Sequence, residues 1–162
     1  MFNLKAEHYL KIILLFSFVA LISAYFIEYV LGHQPCNLCL IERIPYGLSI
    51  VLIITILVLK KNQKFLVLLL ILTFIFSLAI SFYHYGIEQG FFQESAVCGI
   101  KNFTENITKE DLLKQLNERV VSCKDVTFKI FGLSLTSINI IINILFIITL
   151  SKIFIIYEKN RQ

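Results

Sequence analysis

The chain has 162 residues, of which 57% are hydrophobic and only 16% charged, and its mean hydropathy is +0.79. Soluble domains run at roughly 45–50% apolar and about 25% charged, so an ordinary water-soluble domain is excluded. The formal charge of +4 is spread over several segments without a dense basic stripe, which argues against a nucleic-acid partner.

Four apolar runs follow in chain order: residues 12–31, 40–59, 65–82 and 131–156. A bilayer core of ~30 Å needs about 17–25 apolar residues of helix, and all four qualify. Backbone polar groups in lipid must pair internally, so runs of this length are expected to be helices. The prediction is an all-α membrane protein, a four transmembrane helix bundle forming a single integral membrane domain over residues 1–162. The first run follows Lys5 and Lys11, as in a signal peptide. It is longer than the usual ~7–15 residues, and no A-x-A site follows, so a retained helix is expected.

Four spans put both termini on one side. Three lysines crowd the hairpin "KKNQK" at 60–64, whereas basic residues in the opposite loop are spread over more than forty positions. Cytoplasmic enrichment close to span ends then gives cytoplasmic N- and C-termini, although Lys124 and Lys129, near the fourth span, count the other way. In this topology Cys36, Cys39, Cys98 and Cys123 all face the opposite compartment. Disulfides persist on the oxidising side of a membrane, so four cysteines on that side read as pairs.

The second run opens on "HQPCNLCLIER", residues 33–43. Pro35 fits the first turn of a helix, where a missing N–H costs nothing. Cys36 and Cys39 then sit near unpaired N–H groups at the positive end of the helix dipole, which favours thiolate. Three-residue spacing lets the sulfurs bridge as a small disulfide. Arg43 lies one turn beyond Cys39 on the same face. Two readings of it stand: a cation that snorkels to headgroups, with Glu42 merely marking the interface, or one that stabilises a Cys39 thiolate or a reduced acceptor beside it.

The long loop, 86–130, begins with aromatic, turn-like sequence containing Gly86, Gly90 and Gly99. "TKEDLLKQLNERV" from Thr108 has a capping-box pattern and a short amphipathic helix spacing, suited to a membrane interface. Two acceptor patterns for glycosylation, at Asn102 and Asn106, are of the kind that arises by chance. Four thiolates could instead form a structural zinc site, but Cys98 and Cys123 are separated by 24 residues rather than two. A purely structural Cys98–Cys123 bridge, contributing roughly 3.5 kcal/mol by loop-closure entropy, stays open on the residues alone.

"PCNLCLIER" at the start of the second span, a loop with one cysteine after the third span and another before the fourth, and "FGLSLTSIN" leading into that span resemble the disulfide-bond formation protein B (DsbB) family. The resemblance covers nearly the whole chain. It implies a quinone-dependent thiol:disulfide oxidoreductase of the bacterial inner membrane, which re-oxidises a periplasmic thioredoxin-like (DsbA-like) oxidase and passes the electrons to a membrane quinone, ubiquinone or menaquinone. It further implies redox disulfides Cys36–Cys39 and Cys98–Cys123, with Cys98 the partner's target, Cys123 exchanging with Cys36, and Cys39 the thiolate facing the quinone. Arg43 would hold Cys39 and the quinone, and His84 and Tyr85 in "YHYGIE" would line the quinone site. No resident metal is implied.

The DsbA–DsbB–quinone route that keeps bacterial periplasms oxidising is the family's known chemistry rather than a deduction from this chain. Its energetics are nonetheless instructive. A DsbA-type disulfide near about −120 mV cannot be regenerated by structural disulfides below about −300 mV, because the transfer runs uphill by ~180 mV, roughly 8 kcal/mol for two electrons. A lipid-soluble quinone supplies the missing pull. Three alternatives stand beside this reading. A vitamin K epoxide reductase-like enzyme normally has its quinone-facing C-x-x-C late in the chain, whereas here it comes first. A paralogue of the same family could serve one dedicated substrate through its own oxidase. A structural membrane protein with stapled loops would have inert cysteines.

Overall fold

The computed structural model describes residues 4–59, 62–93, 122–124, 129–130 and 132–159. Four long helices dominate: α1 (Leu4–Tyr29), α2 (Asn37–Leu59), α3 (Gln63–Glu88) and α4 (Leu135–Lys159). A two-residue antiparallel hairpin, β1 (Lys129–Ile130) with β2 (Leu133–Ser134), leads directly into α4. All four helices are long and apolar enough to cross a bilayer, and the chain is an all-α, multi-pass membrane bundle. Large apolar side chains such as Phe18, Val58, Phe76 and Ile155 stand exposed on its outer faces. In water such surface would promote aggregation; against lipid it is the solvated face.

The interior packs along the series α1–α2–α3–α4, with α4 resting chiefly on α3, while α1 meets α4 only narrowly. Away from the cysteines the core is hydrocarbon: Leu10 and Ile13 of α1, Ile53 and Ile56 of α2, Val67 and Leu70 of α3, and Leu150 and Ile153 of α4. Toward the middle, the Phe146 ring packs edge-on against Phe16 and Phe74, with centroids 5.5 and 5.0 Å away. Shape fit of this kind, rather than water exclusion, is what joins helices in lipid. Asn62, in the left-handed conformation, turns the chain between α2 and α3.

Helix ends depart from the apolar runs, always for a local reason. Helix α3 continues six residues past the expected end at Phe82 and includes Gly86, because the polar residues there turn inward and leave the outer face apolar. It closes after Gln89 on Gly90 (φ +78°), with Gly90 N–H bonded to Ile87 O and Phe91 N–H to Gly86 O. This is the reciprocal C-terminal capping pattern that favours glycine. Helix α4 starts at Leu135, not at Phe131. Ser134 caps it by accepting the Ser137 N–H at 3.2 Å, and Leu133 and Ser134 form strand β2 instead. The first helical N–H of α2, from Leu40, bonds to Cys36 O at 3.2 Å, which makes Cys36 the cap and leaves Pro35 just outside the helix. The expected amphipathic helix at 108–120 and Cys98 lie outside the described residues.

Candidate active site

The N-terminus of α2 builds the site. Cys36, as the capping residue, uses sulfur where serine or aspartate would use oxygen: the Cys39 backbone N–H points at Cys36 Sγ, 3.4 Å away. The two sulfurs are 3.1 Å apart, well beyond the roughly 2.05 Å of a disulfide, so the pair is a dithiol. Hydrogen bonding from the Cys39 thiol brings the Cys36 thiol down to about 4; burial pushes the other way, and His84 and the Cys39 N–H add to the lowering. These contacts favour thiolate at Cys36.

His84, on α3, is 2% exposed and approaches Cys36 Sγ with Nε2 at 3.6 Å. Its other nitrogen, Nδ1, is 3.0 Å from Glu42 Oε1. The second oxygen of Glu42 accepts from Asn139 Nδ2 at 3.0 Å. Asn139 Nδ2 also donates to Ser81 Oγ at 2.8 Å, while its carbonyl accepts from the Tyr46 hydroxyl and from Asn143 Nδ2. Every polar atom of Asn139 is thus committed, which fixes the Glu42 carboxylate as acceptor on both sides and puts a proton on His84 Nδ1. The proton that remains free to move is the one between His84 Nε2 and Cys36 Sγ. On the same side, Thr136 donates to Glu88 Oε1 at 2.6 Å, and that oxygen is 3.9 Å from His84 Nε2. Ionisable groups inside a bundle are costly and mark function by default.

The two thiols face different surroundings. Cys36 is buried in a small cluster with Leu38, Ile87 and Cys123, and Cys39 packs against the edge of that cluster. Cys39 is half-buried and lines a cavity of about 380 Å³ bounded by α1, α2 and α4, where α1 and α4 stand apart. The cavity wall is mostly apolar, including Phe16, Ala20, Ala24 and Ile142, with Arg43 and Glu42 among its few charged members. A size of 300–1,000 Å³ with an apolar wall and few polar groups is typical of small-molecule sites. A thiol and a guanidinium stand there beside hydrocarbon.

Of the residues singled out from the sequence, the fold brings together Cys36, Cys39, Cys123, His84 and Arg43. Arg43 does more than snorkel. It forms an ion pair with Glu28 of α1, its guanidinium lies 5.0 Å from the centre of the Tyr25 ring, and its side chain is 14% exposed. Tyr85 is not among the cavity-lining residues, and Cys98 is outside the described ones. Sequence reasoning missed Glu42, Asn139, Tyr46 and Glu88. The signal was present as polar positions at helical spacing within apolar runs: 42, 46 and 49 on α2; 77, 81, 84 and 88 on α3; 139 and 143 on α4.

A reactive dithiol at the head of the second of four membrane helices, backed by a buried histidine–carboxylate pair and open to an apolar cavity, defines a membrane-embedded thiol–disulfide protein. The chain matches the family described as Disulfide bond formation protein DsbB over residues 6–153 and belongs to it. It is also similar to the uncharacterized protein RP370 of Rickettsia prowazekii (strain Madrid E), with 31% identity over 152 residues, 93% of this chain and 88% of the relative. Family membership makes disulfide bond formation the process this chain serves.

Proposed function

We propose that the protein is a quinone-dependent thiol:disulfide oxidoreductase of the bacterial inner membrane, with both termini cytoplasmic, that re-oxidises a periplasmic DsbA-like oxidase. A thiolate of the reduced partner attacks Cys98 of a Cys98–Cys123 disulfide and releases Cys123. Cys123 attacks Cys36 of a Cys36–Cys39 disulfide and releases Cys39. The partner's second thiol frees Cys98, which re-forms its bond to Cys123 and releases Cys36. Each step makes one S–S bond and breaks one, and the sum is an oxidised partner and a Cys36–Cys39 dithiol. A bound quinone supplies the acceptor for two electrons and two protons as that dithiol closes. Cys36, held as thiolate beside Cys39, is the nucleophile for closure, and His84 Nε2 is positioned to hold the proton at Cys36. Arg43 orients the acceptor on the cavity side, and Thr136 ties the end of α4 to Glu88 beside the histidine.

The observation that carries this reading is the division of the dithiol: Cys36 packs with Cys123 of the loop, while Cys39 shares a cavity wall with Arg43. Electrons enter on one side of the pair and leave on the other. Purified protein supplied with a reduced thioredoxin-like oxidase should bleach a soluble ubiquinone analogue, and Cys39→Ser protein should not. Quinone reduction by Cys39→Ser protein at the wild-type rate would falsify the assignment.

A further inference from the structure

The reduced dithiol has the geometry of a metal-ion site. Cys36, Cys39 and His84 each offer one ligand atom, and the three atoms lie within 4.8 Å of one another. We propose that the reduced protein binds a thiophilic d¹⁰ cation of the Zn²⁺ class through Cys36, Cys39 and His84, and that the oxidised protein does not.

Two sulfurs and one imidazole are a donor set zinc favours. With Zn–S near 2.3 Å and Zn–N near about 2.0 Å, tetrahedral ligand atoms stand roughly 3.5–3.8 Å apart. Cys36 Sγ and His84 Nε2 are already at 3.6 Å, and the sulfurs, at 3.1 Å, need to part by about 0.7 Å. The outer arrangement is also that of a metal-bound histidine. His84 Nδ1 bonds to Glu42, whose other oxygen is held by Asn139, leaving Nε2 turned toward the sulfurs. Carboxylate support of this kind fixes the tautomer and raises ligand basicity. The histidine comes from α3 and the thiols from the head of α2, two helices packed directly together, so the site is held by the bundle. Cys39 borders the open cavity, which gives an entry route and room for a fourth ligand such as water.

Binding moves no electrons. Two protons leave to solvent as the cation takes their place, one from the Cys39 thiol and the one shared by Cys36 Sγ and His84 Nε2, while Nδ1–H stays bonded to Glu42. A disulfide presents no thiolate, so oxidation of the pair abolishes the site. Binding itself is independent of the quinone reading. Its consequence, that a bound cation stalls closure of the Cys36–Cys39 bond, rests on it.

The test uses full-length protein carrying Cys98→Ser and Cys123→Ser, so that one pair remains. Reduced and oxidised forms, in detergent, are titrated with Co²⁺ and then with Zn²⁺ against a chromophoric chelator. One equivalent of Co²⁺ should bind to the reduced form with a thiolate-to-cobalt charge-transfer band that Zn²⁺ displaces, and the oxidised form should show none. Glu42→Gln should weaken Zn²⁺ binding by about tenfold or more, and His84→Ala by more. Equal binding by both redox forms would overturn the proposal, as would undiminished affinity in monodisperse His84→Ala protein. The redox comparison needs no substitution within the site and decides the matter even if a variant fails to fold. The quinone reading is tested separately by quinone reduction in metal-free protein.

Discussion

Glu42→Gln isolates the role of the buried carboxylate. The two side chains are nearly the same size, but glutamine has one acceptor oxygen and one NH₂ group. Glu42 accepts on both sides, from His84 Nδ1 and from Asn139 Nδ2, each at 3.0 Å. Glutamine must therefore set its NH₂ against one of these donors. A flip of Asn139 gives no relief, because its Nδ2 would leave Ser81 and its carbonyl would leave Tyr46 and Asn143. One hydrogen bond to a charged group is lost, about 1.5–3 kcal/mol. If that loss falls on the state in which His84 supports the Cys36 thiolate, at 1.36 kcal/mol per pH unit the Cys36 midpoint climbs from about 4 to roughly 5–6. It does not return to the free-thiol range, because the Cys39 thiol, the larger cause of the lowering, is untouched.

The sign sets the window for the measurement. The lowered value keeps Cys36 as thiolate while pH falls, until it protonates near 4. The variant protonates earlier, so the two proteins differ between about pH 4 and 6 and agree at neutrality. Thiolate absorbance in the ultraviolet, followed against pH in reduced protein lacking the loop pair, reads the midpoint directly. A Glu42→Gln midpoint indistinguishable from that of the parent would refute the argument and leave Cys39 as the whole cause.

Three further outcomes are expected. Arg43→Ala removes the ion pair to Glu28 and one charged wall of the cavity, so KM for quinone should rise at least about tenfold, the worth of ~1.4 kcal/mol, with kcat changed less. A Glu28→Gln control keeps the cation in place and should retain most of the affinity. Cys123→Ser leaves Cys98 a lone thiol, which should attack the disulfide of the oxidised partner, release one partner thiol and give a mixed disulfide seen on non-reducing gels; failure to form one would favour a purely structural loop bridge. Gly86→Ala puts a methyl group 2.1 Å from Cδ2 of the Phe92 ring, which must swing away from its stacking on Tyr83. The thermal midpoint should fall, at a cost of about 1–3 kcal/mol.

The bundle was legible in the sequence because lipid imposes one requirement on every span: enough consecutive apolar residues. Hydropathy is blind, however, to which way a polar residue faces. His84 and Glu88 lay beyond the end of the third run on paper, yet in the fold α3 extends to include both, and His84 is buried with Ser81 in the bundle's interior. Glu42 was read with Arg43 as an interfacial charge pair, when each belongs to a different partner: Glu42 to His84 and Asn139, Arg43 to Glu28. The C-x-x-C announced itself by spacing. Its chemical division did not, because that depends on which sulfur meets α3 and which meets the gap between α1 and α4. No local pattern records the packing of helices distant in sequence.

That packing explains why the dithiol sits where it does. A helix N-terminus alone would favour thiolate at either cysteine. The preference for Cys36 comes first from the Cys39 thiol, then from His84 and the Cys39 N–H, and of these the histidine depends on α2 lying against α3. The opening at Cys39 comes from the weak contact between α1 and α4, which leaves space that a side chain would otherwise fill. The buried polar groups are concentrated on α2, α3 and α4, and Glu42 and Thr136 among them also border that opening. Such a network is costly in lipid unless each member is satisfied, and here Asn139 links all three helices through hydrogen bonds. The polar seam that sets the thiolate also locks the helix register. The site's chemistry and the bundle's cohesion are therefore one set of contacts, and the cavity opens where α1 and α4 meet least.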